Sequence, residues 1–158
     1  MTPAVLICSH LCQSKERLQI YLKGIGYDII HHAMDEMQAK HYLSLHCFAL
    51  ILVDLPFTMD SHEMSFLLTM AEGSNALVLA LVNQCDFDNV RDRMEHLGII
   101  TLKKPIQREI SSQLLAIGKA WYYRSYSLHK KQEQLVDQIK EIKLVDRAKC
   151  LLIENEWI

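Results

Sequence analysis

Short apolar runs alternate along the first 102 residues with longer segments whose apolar positions fall at helical spacing. Ala4-Val5-Leu6-Ile7-Cys8 is apolar at every position, which predicts a strand buried on both faces. The next segment places Leu18, Tyr21, Leu22 and Ile25 at i, i+3, i+4 and i+7, one face of a helix that Gly24 and Gly26 end. The alternation then repeats, with strands predicted over residues 27–30, 48–53, 76–82 and 99–102 and helices over 34–45, 61–71 and 87–97. The most apolar strand, residues 48–53, stops at Asp54. Five βα units with continuously apolar strands imply an α/β domain: a five-stranded parallel sheet, doubly wound, with helices on both faces and right-handed crossovers. This domain is expected over residues 1–106.

Beyond Pro105 the pattern changes. From 107 to 154 there is no proline and a single glycine, Gly118, so one helix would run about 70 Å at ~1.5 Å per residue. Leu114, Trp121, Leu128, Leu135 and Ile142 recur every seven residues along it. Ile139 fills the alternate core position between Leu135 and Ile142, while Ser125 and Gln132 hold the equivalent sites upstream. A seven-residue apolar stripe of this length predicts a coiled coil and a homodimer, with residues 107–145 as the dimerisation segment. The alternative is that residues 110–121 pack on the sheet and the rest frays, which would leave Leu128 onward nothing to bury against. At Lys149 the stripe slips, and Ala148, Leu151 and Leu152 begin a different face, so residues 146–158 are read as a separate element.

Composition narrows the class. With 50% hydrophobic and 23% charged residues, and only 5 glycines and 3 prolines in 158 positions, the chain is too apolar for disorder and too poor in breakers for a low-complexity protein. No apolar run approaches the ~20 residues of a bilayer span, and no signal-like segment follows Met1, so a cytoplasmic protein without membrane contact is expected. Cys8, Cys12, Cys47, Cys85 and Cys150 lack metal or disulfide spacing and are expected to be reduced, mostly core thiols. The net charge of −2 hides a polarity: 6 Lys and Arg stand against 12 Asp and Glu through Leu102, and 11 against 7 beyond it. A basic C-terminal segment of this kind can meet an anionic partner or form a solvated face.

In an open parallel sheet the functional crevice lies at the carboxyl ends of the strands. The residues placed there are Ser9 and His10 after strand one, Asp54 after strand three, Val82 and Asn83 after strand four, and Lys103-Lys104-Pro105 after strand five. An Asp ending strand three and Lys-Pro following strand five resemble the receiver domain of two-component response regulators, a flavodoxin-like fold. That resemblance implies a phospho-acceptor at Asp54 and a phosphate-pairing lysine at Lys104, with Lys103 the less favoured register. Ser9 and His10 stand where the family has its acidic, Mg²⁺-holding pair, and Val82 or Asn83 where it has a switch hydroxyl. Mg²⁺ requires carboxylate oxygen, so no cofactor is expected, and Asp54 with Lys104 is expected to form an ion pair rather than a phosphotransfer site. Among the 8 histidines, His31 and His32 are adjacent and point apart, and His41 and His46 do not share a helix face. Convergence of Cys8, His10 and Asp54 lacks ligand spacing, so no metal site is expected.

Asp146-Arg147-Ala148-Lys149-Cys150-Leu151-Leu152-Ile153, followed by Trp157, resembles the opening helix of the ANTAR module of transcription antitermination regulators. The order of a degenerate receiver, a long helix and ANTAR is that of the AmiR-like branch. The resemblance implies an RNA-binding surface that includes Lys149 and Arg147, a homodimer formed by the long helix, and a sensor or ligand-binding protein docked on the pseudo-receiver. ANTAR has three helices and the chain reaches Ile158 about where the first would end, so the output module is expected to be two helices short. The expected function is non-enzymatic control of antitermination through leader RNA hairpins. The alternative, from a different class, is a phospho-accepting receiver at Asp54 whose coiled coil binds a protein and no RNA.

Overall fold

The computed structural model describes residues 3–9, 12–55, 61–105 and 107–156. The elements are β1 (Ala4–Cys8), α1 (Cys12–Ile25), β2 (Ile29–Ala33), α2 (Glu36–Leu45), β3 (Leu50–Asp54), α3 (Ser61–Glu72), β4 (Leu77–Val82), α4 (Phe87–Met94), β5 (Ile100–Lys103) and α5 (Arg108–Glu156). All strand pairs are parallel and the order is β2-β1-β3-β4-β5. This is the flavodoxin-like order, in which the chain reverses its direction of winding between β1 and β3.

Period-two alternation along the strands builds two cores, one on each face of the sheet. On one face Leu6, Ile51, Val53, Val78 and Val82 meet Ala39 of α2, Leu67 and Met70 of α3, and Val90 and Met94 of α4. On the other Val5, Ile7, Leu50, Leu52 and Leu79 meet Leu22 of α1 and Leu115 of α5. Both cores use near-completely buried side chains, so the sheet is apolar through its full thickness.

Local signals explain the element ends. Asp35 caps α2, its Oδ1 accepting from Gln38 N at 2.8 Å, while Gln38 Oε1 accepts from Met34 N at 2.9 Å, a reciprocal pair of the capping-box kind. A 3-10 turn (Glu95–Leu97) follows α4 and stops at Gly98, whose φ of +75° is left-handed and suits a residue without Cβ. Gly26 turns α1 into β2 at φ +103°, and a Cβ there would lie 2.7 Å from Lys119 Nζ.

Two compact units divide the chain, one running to Tyr122 and one from Tyr123 onward. The first part of α5 thus belongs with the sheet. It is held there by buried Leu115 and by Lys119, whose Nζ donates to Ile25 O at 3.2 Å and lies 5.0 Å from the Tyr27 ring centroid. In the second unit α5 continues as unbroken helix, which supports the long-helix expectation over fraying. Among the described residues no helix is long and apolar enough to cross a membrane.

Candidate functional site

Asp54 sits at the carboxyl end of the central strand β3, beside the end of β1, at the point where the winding reverses. Ser9 follows β1 directly and is buried; its main-chain N donates to Ala33 O at 3.2 Å, and its Oγ to Asp54 Oδ2 at 3.4 Å. Lys104 follows β5, where its main-chain N donates to Val82 O at 2.8 Å and anchors the turn before the cis Lys104–Pro105 peptide. From this anchor its Nζ crosses the strand ends, pairs with Asp54 Oδ1 and donates to Leu55 O at 2.6 Å. The Asp54 side chain is only 8% exposed and that of Lys104 27%, so the pair is largely shielded from solvent screening. The expected Asp54–Lys104 ion pair is therefore present.

Of the other residues assigned to this crevice, Val82 is fully buried core, and Asn83 carries a buried Nδ2 with no hydrogen-bond partner among the described residues. Lys103 points elsewhere, its Nζ 4.6 Å from the Phe87 ring centroid, so Lys104 is the register that reaches Asp54. His10 and Trp157 lie outside the described residues.

The donor set does not fit Mg²⁺. Asp54 brings one carboxylate whose two oxygens already engage Lys104 and Ser9, and Ser9 offers a neutral hydroxyl where a hard cation needs anionic oxygen. Among the described residues no group of three His, Cys, Asp or Glu is arranged to hold a metal ion. Next to Asp54 opens a cavity of about 350 Å³ between the ends of β1 and β3 and the first turns of α2 and α3, reached by Cys8, Ser9, Met34, Glu36 and His62. Cys8 in its wall is buried, and desolvation pushes its thiol up to about 12, so it stays protonated and unreactive. Cys47, Cys85 and Cys150 are exposed, which corrects the expectation of mostly core thiols: Cys47 and Cys85 lie in the connections after α2 and before α4, and Cys150 lies on the exposed stretch of α5.

A cluster that spacing did not reveal joins β2 to the end of α2. The His31 ring stacks on that of His46 with centroids 4.7 Å apart, flanked by Tyr42 at 5.1 Å and Phe48 at 5.7 Å. Burial, and secondarily the charge of His46, hold the His31 imidazole below its ordinary pKa. No periodicity links a strand residue to a helix cap, so the pair becomes visible only in three dimensions.

On α5 the stripe residues divide. Leu114 lines a small interior gap with Leu18, Tyr21 and Leu102, and its neighbour Leu115, absent from the heptad stripe, is the residue that is fully packed in the core. Trp121, Leu128, Leu135, Ile139 and Ile142 are each about half exposed. Arg147 and Lys149 are exposed on the same helix, as are Leu151 and Leu152.

No family model and no curated protein matches the chain. Solved structures do. The signal receiver domain of an HD domain-containing protein from Pseudomonas fluorescens Pf-5 is 20% identical with a TM-score of 0.66, over 78% of this chain and 99% of that one. The receiver domain of NtrC4 from Aquifex aeolicus is 17% identical at TM-score 0.63, over 77% and 99%. A chain described as adenylate cyclase from Rhodopirellula baltica is 16% identical at TM-score 0.67, over 84% and 98%. At these identities the likeness is one of fold, and it carries nothing about cyclase chemistry. Strand order, the aspartate at the end of β3, the lysine after β5 and these neighbours together give the chain the receiver-domain fold of response regulators.

Proposed function

We propose that the chain is a non-enzymatic, response-regulator-like regulator of transcription antitermination, in which a pseudo-receiver docks a sensor protein, the long helix dimerises and the C-terminal element meets leader RNA hairpins. The observation that carries the pseudo-receiver reading is the closed set around Asp54. Phosphoryl transfer to this carboxylate needs a cation to offset charge on the incoming group, and an attacking oxygen that is free. Here one oxygen is engaged by Lys104 and the other by Ser9, and the sequence carries Ser9 and His10 where the receiver family has its acidic pair. Control then passes to whatever binds the domain surface.

The RNA reading rests on the resemblance of residues 146–153 and on the exposure of Arg147 and Lys149 along an unbroken helix. Cations on a helix face engage phosphates with an affinity that falls steeply with salt. Fluorescence anisotropy with a labelled RNA hairpin tests it: weak binding that declines with salt and drops several-fold in Arg147→Ala/Lys149→Ala supports the reading, and binding that the substitutions leave unchanged overturns it. The second reading, a phospho-accepting receiver with a protein-binding coiled coil, is favoured by the position of Asp54 itself. Incubation with a small phosphodonor, with and without Mg²⁺, separates the two: Mg²⁺-dependent label on Asp54 would replace the pseudo-receiver by this alternative.

A further inference from the structure

We propose that the cavity beside Asp54 is a binding site for a small organic cation, an amine carried on a compact apolar body. The site belongs to the sheet unit alone and requires neither the RNA reading nor the dimer reading.

The cavity originates in a step in side-chain size. On the face of the sheet that packs against α2 and α3, His31, Leu6 and Ile51 lie side by side across β2, β1 and β3. Two residues further along the same strands, and on the same face, Ala33, Cys8 and Val53 come into line. The first row is bulky and the second small. Because the first turns of α2 and α3 stand over the second row, a space of about 350 Å³ is left between them and the strand ends. That volume falls within the range of small-molecule sites, and the carboxyl ends of strands where the winding reverses are where open α/β sheets take ligands.

The lining is apolar at its floor and anionic at its mouth. Cys8 and Leu55 are buried, the Cys8 thiol is neutral, and Phe66 is half-buried beside them. At the mouth Met34 is 42% exposed and Met37 82%, unbranched side chains that adapt to whatever they cover. The carboxylates of Asp35, Glu36, Asp54 and Glu63 line the same space, and His62 is the single base among the described lining residues. From outside the lining, Lys40 reaches Glu36 at 2.9 Å and Lys104 pairs with Asp54. Four carboxylates thus stand against two lysines, with His62, 3.7 Å from Glu36, charged only when protonated.

This balance selects the sign of the ligand. The helix N-termini that would otherwise draw an anion carry their own acids: Asp35 caps α2 with Glu36 behind it, and Glu63 stands in the first turn of α3. An anion would meet these carboxylates, whereas an ammonium at the mouth is attracted by them while its apolar body covers the floor.

An NMR titration of the full chain, isotope-labelled at the methionine methyls, tests the proposal with three probes of one shape: 2-phenylethylamine, 2-phenylethanol and phenylacetate. Met34→Leu and Met37→Leu identify the two signals at the mouth. The amine is expected to move both, to leave Met94 of the α4 core in place, and to bind roughly tenfold more tightly than phenylacetate, with the alcohol between. In Asp35→Asn/Glu36→Gln/Glu63→Gln, which keeps side-chain shape and the α2 cap, the three probes should bind within about threefold of one another. Met34 and Met37 signals unmoved up to about 10 mM probe, an amine no tighter than either of its isosteres, or an amine preference undiminished in the variant overturns the proposal. Each of these outcomes leaves the RNA and dimer readings standing.

Discussion

The phenolic hydroxyl of Tyr27 donates a 2.6 Å hydrogen bond to the main-chain carbonyl of Leu115, across 88 residues of sequence. Tyr27 is fully buried between the end of α1 and the start of β2, and the bond ties the first turns of the long helix to the sheet. A buried hydroxyl with one good acceptor contributes about 1–1.5 kcal/mol net. Tyr27→Phe should lower the unfolding free energy by about that amount, read by urea denaturation, with the aromatic packing kept.

Gly118 faces the same hydroxyl. A Cβ on it would lie 3.2 Å from Tyr27 Oη and 3.6 Å from Leu50 Cδ1, so the alanine that a helix interior normally prefers by about 1 kcal/mol is crowded here. Gly118→Ala should therefore be neutral or destabilising in the wild-type chain and stabilising in Tyr27→Phe, where the obstructing oxygen is gone. The double-mutant cycle should give a coupling of roughly 1 kcal/mol. Additivity of the two changes would mean that the helix shifts to make room.

The sheet was legible because its strands are apolar on both faces: β1 occupies Ala4–Cys8 as the apolar run predicts, and β4 and β5 shift by a single residue at one or both ends. At the edge the signal fails. β2 spans Ile29–Ala33 rather than 27–30, because two histidines in its centre break the apolar pattern while Tyr27, read as strand, is buried just before it. Sheet geometry placed Asp54 and Lys104 among the residues at the strand ends, and the resemblance to receiver domains singled them out as a pair. The anchoring residue of α5 was not, because Leu114 keeps the seven-residue period while the side chain that enters the core is Leu115, one position on. The helix serves the sheet with one face and carries its stripe on another, and a single periodicity cannot report both.

Breaking the Asp54–Lys104 pair should cost unequally from its two sides. Asp54→Asn leaves Lys104 its bond to Leu55 O, whereas Lys104→Met strands a carboxylate that is 8% exposed with, among the described residues, only Ser9 to bond it. With Lys104 about a quarter exposed, the loss for Lys104→Met should be about 2–3 kcal/mol, and that for Asp54→Asn nearer 1 kcal/mol. Urea denaturation at pH 7 measures both. Equal losses would mean that the lysine's bond to the Leu55 carbonyl contributes little.

Two partly or fully desolvated groups, the half-buried His31 imidazole and the buried Cys8 thiol, contribute to stability on the pH axis. His31 is held below its ordinary value of 6.5, first by burial and then by His46, so the unfolded chain takes up this proton more readily than the folded one. Stability present above about pH 6.5 should fall as pH drops below it. Cys8 behaves in the opposite sense, its thiol rising from 9.0 to about 12 through desolvation, so stability present below pH 9 should be lost as the pH rises from 9 toward 12. Urea denaturation from pH 5 to 10.5 should therefore give a plateau between two declines. Because burial is the larger cause at His31, His46→Gln should shrink the acid decline without removing it. Cys8→Ala should flatten the part of the alkaline decline that this thiol causes, at the cost of a small cavity, whereas an unaltered alkaline limb would assign that decline to other groups.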